Sequence, residues 1–185
     1  MNLAELRRET RHDHDEVEGA LPLMDAGLNL EFYRAVLWRL LGLVEAWEQS
    51  ARLGLPERLD GMVAERSRMG LLRRDLEDLG VVGKDVPQPR LPAFENLAEM
   101  LGAMYVMEGS RLGGQLIARH VEAVLGLHEG AGSRFFRGFG EETGARWKEF
   151  LGVLATEVAE EETLSAIRGA KKMFGAFGGW MRAAR

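Results

Sequence analysis

Apolar residues recur at intervals of three and four along most of this chain, and that spacing commits it to helices. Val36, Leu37, Leu40, Leu41, Val44 and Trp47 form one such stripe. Leu97, Met100, Leu101, Met104 and Tyr105 form another. Proline punctuates the pattern: Pro22 closes the first segment, Pro56 opens another, and Pro87, Pro89 and Pro92 gather in one loop. Between these marks the periodicity predicts helices over 2–18, 30–53, 57–79, 93–126, 142–159 and 161–181. Strand-like alternation is absent apart from a short ambiguous Val81–Val82. There is no internal repeat and no low-complexity tract. The expected class is all-α, antiparallel helices joined by short loops, in a single domain spanning 1–185.

Composition removes several functions. Lys and Arg total 24 against 29 Asp and Glu, a net charge of −5, so the basic footprint of a nucleic-acid binder is missing. With no cysteine there is no disulfide, thiolate zinc site, iron–sulfur cluster or thiol nucleophile. Met1 to Glu18 is highly charged and lacks the apolar core of a signal peptide. No stretch approaches the ~18 uninterrupted apolar residues of a membrane span. The expectation is a soluble, cytoplasmic protein with no membrane contact, most simply a monomer.

One segment breaks the helical rules. Gly109-Ser110-Arg111-Leu112-Gly113-Gly114 sits inside a strongly periodic stretch. An interior glycine costs a helix about 1 kcal/mol relative to alanine. Either the helix ends and restarts there, or it kinks because something must approach its backbone closely.

The histidines are His12, His14, His120 and His128. On a helical wheel Leu3, Leu6, Thr10, Val17 and Leu21 share one face; His14 falls within about 40° of it and His12 about 160° away. His14 is thus expected to point inward, as a satisfied core histidine or as a ligand. Glu18 lies one turn on, where a carboxylate can accept the imidazole's other N–H and make the free nitrogen a better ligand. Arg7 and Arg11 edge the same face, as plain surface charge or as cations for an anionic ligand group. His120, off the main stripe, and His128, in a Gly-rich turn, read as structural.

Two further constellations are weak. Glu9-Thr10-Arg11-His12 is an E-x-x-H, but a di-iron bundle needs a second such motif and two more glutamates. Met100, Met104 and Met107 form a stripe at helical spacing that reads as core filling before it reads as a cofactor slot.

Thr10-x-x-x-His14-x-x-x-Glu18 resembles the first-helix proximal motif of the haem oxygenases. Glu108-Gly109-Ser110-Arg111-Leu112-Gly113-Gly114-Gln115 resembles their distal-helix glycine segment, especially in bacterial biliverdin-producing members. Ala170-Lys171-Lys172-Met173-Phe174 resembles the family's A-x-x-x-F run. Order and spacing hold over nearly the whole chain. The resemblance implies a helical bundle with a kinked, Gly-rich distal helix and haem between it and the first helix. It implies His14 Nε2 as iron ligand, Glu18 as its partner, and close approach of Gly109, Gly113 and Gly114 to the macrocycle. Ser110 stands where some members carry a distal aspartate that organises water. Arg7 and Lys148 match basic positions that meet the propionates, and Phe174 one that packs near the ring. A second basic position, one turn after Lys148, is Gly152 here. A tyrosine that touches a propionate in some members aligns with Met104, with Tyr105 one place off.

The implied reaction is oxidative opening of haem with O2 and electrons to biliverdin, CO and ferrous iron. It needs no side-chain nucleophile; the protein supplies the neutral histidine, the orientation of the haem and the polar contacts around the oxygen. The electron donor is not in this chain, since no strand followed by G-x-G-x-x-G is present. A separate reductase or ferredoxin is implied, with Arg7, Arg8 and Arg11 as a possible docking surface, and a bilin-binding photoreceptor is one possible acceptor of product. The alternative on the same fold is a non-catalytic haem binder for storage or sensing. A thiamine-hydrolysing relative of the fold would need a cysteine nucleophile. A plain interaction module would not need glycines inside a helix.

Overall fold

Asparagine side chains open three of the helices. Asn2, Asn29 and Asn96 each accept the backbone N–H three residues on, at 2.9–3.0 Å. The computed structural model describes residues 1–83 and 86–182. Its helices are α1 (Leu3–Glu9), α2 (Arg11–Ala20), α3 (Leu30–Gly54), α4 (Asp60–Glu65), α5 (Met69–Asp78), α6 (Leu97–Gly109), α7 (Gly114–Leu125), α8 (Arg134–Arg137), α9 (Thr143–Glu157) and α10 (Thr163–Met181). No strand occurs among the described residues, and Val81–Val82 is irregular. No described helix is long and apolar enough to cross a membrane.

The molecule is built on the crossing of α6 and α10. A Cβ on Gly102 would lie 1.9 Å from the carbonyl oxygen of Ala166, and one on Gly169 would lie 1.9 Å from that of Glu99. Both helices therefore use glycine so that their backbones can touch. Glu99 sits buried beside this crossing and is closed off by Lys172 at 2.7 Å and Arg168 at 3.3 Å. Met100, Met104 and Met107 are buried there too, so the methionine stripe is core. The end of α10 is tied to α3 by a reciprocal pair. Trp180 donates its indole N–H to the Arg39 carbonyl, and Arg39 Nε donates to the Trp180 carbonyl, both at 2.8 Å.

The chain start runs along α10 in parallel. Asn2 N–H reaches the Thr163 hydroxyl at 3.1 Å, and a Cβ on Gly178 would meet Val17 at 3.3 Å. The single helix expected over 2–18 is two, because Thr10 leaves helical geometry (φ −105°, ψ 2°) and turns its hydroxyl back onto the Leu6 carbonyl.

Other boundaries moved for similar reasons. The stretch 57–79 divides into a short 3-10 turn, α4 and α5, broken at Arg66–Arg68, whose side chains are drawn into the interior. The stretch 93–126 starts at Leu97 and divides at 110–113. The small α8 was not foreseen. It hangs on Asp75 of α5, which accepts the backbone N–H of Arg134 at 2.9 Å and of Phe135 at 2.8 Å.

Candidate functional site

The Gly-rich segment is a tight turn between α6 and α7. Arg111 N–H bonds the Glu108 carbonyl at 3.1 Å, one residue short of the α-helical partner. That leaves the Met107 carbonyl without its helical donor. The Ser110 hydroxyl donates to it at 2.7 Å, and Arg68 Nη2 donates to it at 2.9 Å. Arg68 Nη1 also donates to the Ser110 hydroxyl oxygen at 3.1 Å.

Behind the turn lies a buried charge network that sequence reasoning did not find. Glu48 accepts Arg68 N–H and the Ser67 hydroxyl, each at 2.7 Å. Glu108 accepts Arg66 Nη1 at 2.9 Å and Arg111 Nε at 3.2 Å, while Arg111 also donates to the Arg66 carbonyl. Arg66 Nη2 continues to Glu149 of α9 at 3.1 Å. Burial, together with the neighbouring Arg111, pulls the Arg68 guanidinium down to about 9. The signal that could have found it is Arg66-Ser67-Arg68, an R-x-R inside an otherwise apolar-periodic stretch.

The three candidate glycines have different surroundings. A Cβ on Gly114 would lie 2.1 Å from the Phe136 carbonyl oxygen, so α8 already fills that space. One on Gly109 would meet the edge of Trp147 at 3.7 Å. One on Gly113 would meet nothing within 4 Å.

His14 lies on α2 with its side chain 52% exposed, not inward as the wheel suggested. The face of Leu6, Thr10 and Val17 does pack on the core, and His14 stands at its edge. The ring meets Phe174 of α10 edge-on, centroids 6.2 Å apart. Glu18 approaches Nε2 and Asp15 approaches Nδ1, both at 3.7 Å. The carboxylate beside Nδ1 is therefore Asp15, where the spacing had suggested Glu18. His14, Asp15 and Glu18 form a cluster of ligand-type atoms within 4.8 Å of one another.

Arg7 is exposed on α1, and its charge acts on Tyr105 of α6. Burial pushes the Tyr105 phenol up, and the Arg7 guanidinium pulls it back. Tyr105, rather than Met104, is thus the residue on which the Arg7 charge acts; Met104 is buried in the core. The Tyr105 ring lies 5.3 Å from that of Trp147. Lys148 is the next residue along α9 and is exposed. His12 is exposed near Glu16, His128 lies in a turn, and His120 Nε2 is 3.2 Å from the Asp25 carbonyl oxygen.

Arg7 of α1 acts electrostatically on Tyr105 of α6, and the loop after α2 meets α7 through Asp25 and His120. α2 packs chiefly on α10 and more lightly on α1, with the His14 side chain half-exposed. Leu112 and Leu116, on the turn and on α7, are exposed. These residues carry the chemistry that a flat apolar ligand with anionic groups requires: an imidazole at His14, a turn bare of side chain at Gly113, exposed Leu112 and Leu116, and a cation at Arg7. Two surface depressions, of about 550 Å³ beside Arg90 and Lys172 and about 930 Å³ beside Arg119 and Glu122, do not include His14.

The model of the family described as Heme oxygenase matches residues 1–183 of this chain. Heme oxygenase PigA of Pseudomonas aeruginosa is 38% identical over 120 residues, which cover 63% of this chain and 59% of that protein. A Heme oxygenase of Xanthomonas campestris is 31% identical over 152 residues, covering 81% of this chain and 88% of that protein. Among solved structures, heme oxygenase from Leptospira interrogans superposes with a TM-score of 0.78 at 20% identity, covering 99% of this chain and 100% of the other. Heme oxygenase-1 from the cyanobacterium Synechocystis in complex with heme gives a TM-score of 0.73 at 16% identity, covering 97% and 90%. At these identities the structures speak for the fold.

Proposed function

The chain belongs to the haem oxygenase family, and from that premise we propose that it opens haem to biliverdin, CO and ferrous iron, using O2 and electrons from a separate reductase or ferredoxin. The observation that carries the reading is His14, half-exposed on its Phe174 support, in a chain whose glycine-rich helix turn is bare of side chain at Gly113.

Bound haem supplies the iron at which O2 is reduced and the meso carbon that is oxidised. The chain's residues do the rest. His14 holds the iron through Nε2, and Phe174 fixes the tilt of its ring. Asp15, beside Nδ1, favours the tautomer that leaves Nε2 free. For Nε2 to face the ligand, Glu18 swings aside or takes the same supporting role. Gly113 leaves room for the distal face, and Gly109 with Gly114 lets the turn form against Trp147 and α8.

Ser110 spends its proton on the Met107 carbonyl and receives Arg68, so its remaining lone pair is what it offers a distal water. Arg7 and Tyr105 bind one propionate, with Lys148 a second cation along α9. Arg8 is shared between Glu9 at 3.1 Å and Glu5 at 3.8 Å, so Arg7 and Arg11 carry the charge that would meet an electron donor. In this reading 1–185 is one catalytic domain working in the cytoplasm.

The test is turnover. Protein loaded with haem, given a reductant under air, is expected to lose its Soret band, gain a bilin band, and release CO and chelatable ferrous iron. Stable binding without bleaching under several reductants would instead make it a storage or sensing protein.

A further inference from the structure

Trp147 of α9 is the side chain that joins the glycine turn to Tyr105, and no motif of the sequence pointed to it. The edge of its indole covers Gly109, 3.7 Å from where a Cβ would stand. Its ring packs on Tyr105 at 5.3 Å and on Phe150 at 5.7 Å. Phe150 is fully buried, so the indole is backed by core and is not a loose surface group. The two ends of the turn therefore differ: Gly109 is covered, and Gly113 has nothing within 4 Å.

We propose that Trp147 is a specificity-determining residue for the ring opening: the edge of the macrocycle seats against its indole, and that stop selects which meso carbon lies beneath the turn. The inference rests on the haem reading above. It follows from shape. A planar ligand held at its centre by His14 can still rotate in its own plane. Arg7 restrains it electrostatically, through a long and exposed side chain, which is a soft constraint. A rigid indole braced by core is a hard one. Trp147 also packs on Tyr105, on which the Arg7 charge acts, so both constraints share one support.

The experiment compares wild type, W147F and W147A as full chains loaded with ferric haem and cyanide. Proton NMR of the shifted haem methyls counts the seatings in each, and chromatography of the bilin gives the isomer ratio after turnover. Wild type and W147F are expected to show one dominant seating and one dominant isomer. In W147A the ratio of seatings shifts by about tenfold, the size of one lost aromatic contact, with a matching change in isomers. The Soret position stays put because His14 is intact. Should W147A fail to fold, W147L takes its place against the W147F rescue. A truncated variant with the wild-type seating and isomer overturns the proposal and leaves the haem reading standing. A wild-type protein that takes up no haem through His14 overturns both.

Discussion

Arg68 Nη2 lies 2.9 Å from the carbonyl oxygen of Met107, the acceptor that the turn at 110–113 removes from the helical ladder. A residue thirty-nine positions away thus completes the cap of α6. The same guanidinium holds the Ser110 hydroxyl and lies over the Phe135 ring at 4.6 Å. The shape of the turn is set from behind, by buried charge, as well as by its own glycines.

Arg68→Leu is expected to cost about 3 kcal/mol, because it leaves Met107's carbonyl short of a donor and the buried carboxylates short of a charge. Arg68→Lys should recover only part of this, since an ammonium cannot reach two acceptors with a planar fork. Urea denaturation of the two variants beside wild type measures both. Equal midpoints for all three would show that the network does not hold the turn.

Gly113 and Gly114 should separate function from folding. Gly114→Ala puts a methyl 2.1 Å from a backbone oxygen of α8 and should destabilise by about 2–3 kcal/mol. Gly113→Ala meets nothing and has ordinary helical φ, so its stability should stay within about 1 kcal/mol of wild type. In the proposed function that methyl faces the ligand, so Gly113→Ala should alter the bound spectrum and slow turnover. Melting curves together with a haem titration decide it, and an unaltered haem complex in Gly113→Ala would remove the turn from the pocket.

Glu122 predicts an acid dependence. Its carboxylate accepts Arg137 Nε at 2.8 Å and Nη2 at 2.6 Å, with the Ser133 hydroxyl and Gly130 N–H, and this holds it down at about 2. A depressed folded value means stability that is present above the unfolded carboxylate range and is lost as pH falls through it toward about 2. Wild type should therefore lose stability from pH about 4.3 downward, and Glu122→Gln, less stable at neutral pH, should lose less over that interval. Parallel slopes for the two proteins would place the acid sensitivity elsewhere.

Local pattern made some of this legible and not the rest. The bundle showed because apolar spacing is a local property, and the turn showed because glycine contradicts that spacing. His14 stood out by its spacing from Thr10 and Glu18. Its exposure did not, because a wheel gives the side of a helix and not what covers it, and His14 lies at the edge of the face that Leu6, Thr10 and Val17 pack on the core. Arg66, Arg68, Glu48 and Glu108 meet only in three dimensions, and each alone resembles solvated charge. Tyr105 showed only as a member of an apolar stripe and as one place off an expected tyrosine, and Trp147 did not show at all: their contact joins α6 to α9 across forty-two positions, and no motif spans it. The breaks at Arg66–Arg68 and the small α8 are imposed by tertiary hydrogen bonds on sequence that would otherwise continue as helix or loop.

The central claim is that His14 holds haem iron, and a haem titration of wild type beside His14→Ala tests it most directly. Wild type should saturate at one haem per chain with a Soret band and spectrum of an imidazole-ligated iron. His14→Ala, with an unchanged melting temperature because the side chain is half-exposed, should lose that spectrum and regain it when free imidazole is added. A wild-type spectrum in His14→Ala without imidazole would contradict the account and move the iron site elsewhere in the bundle.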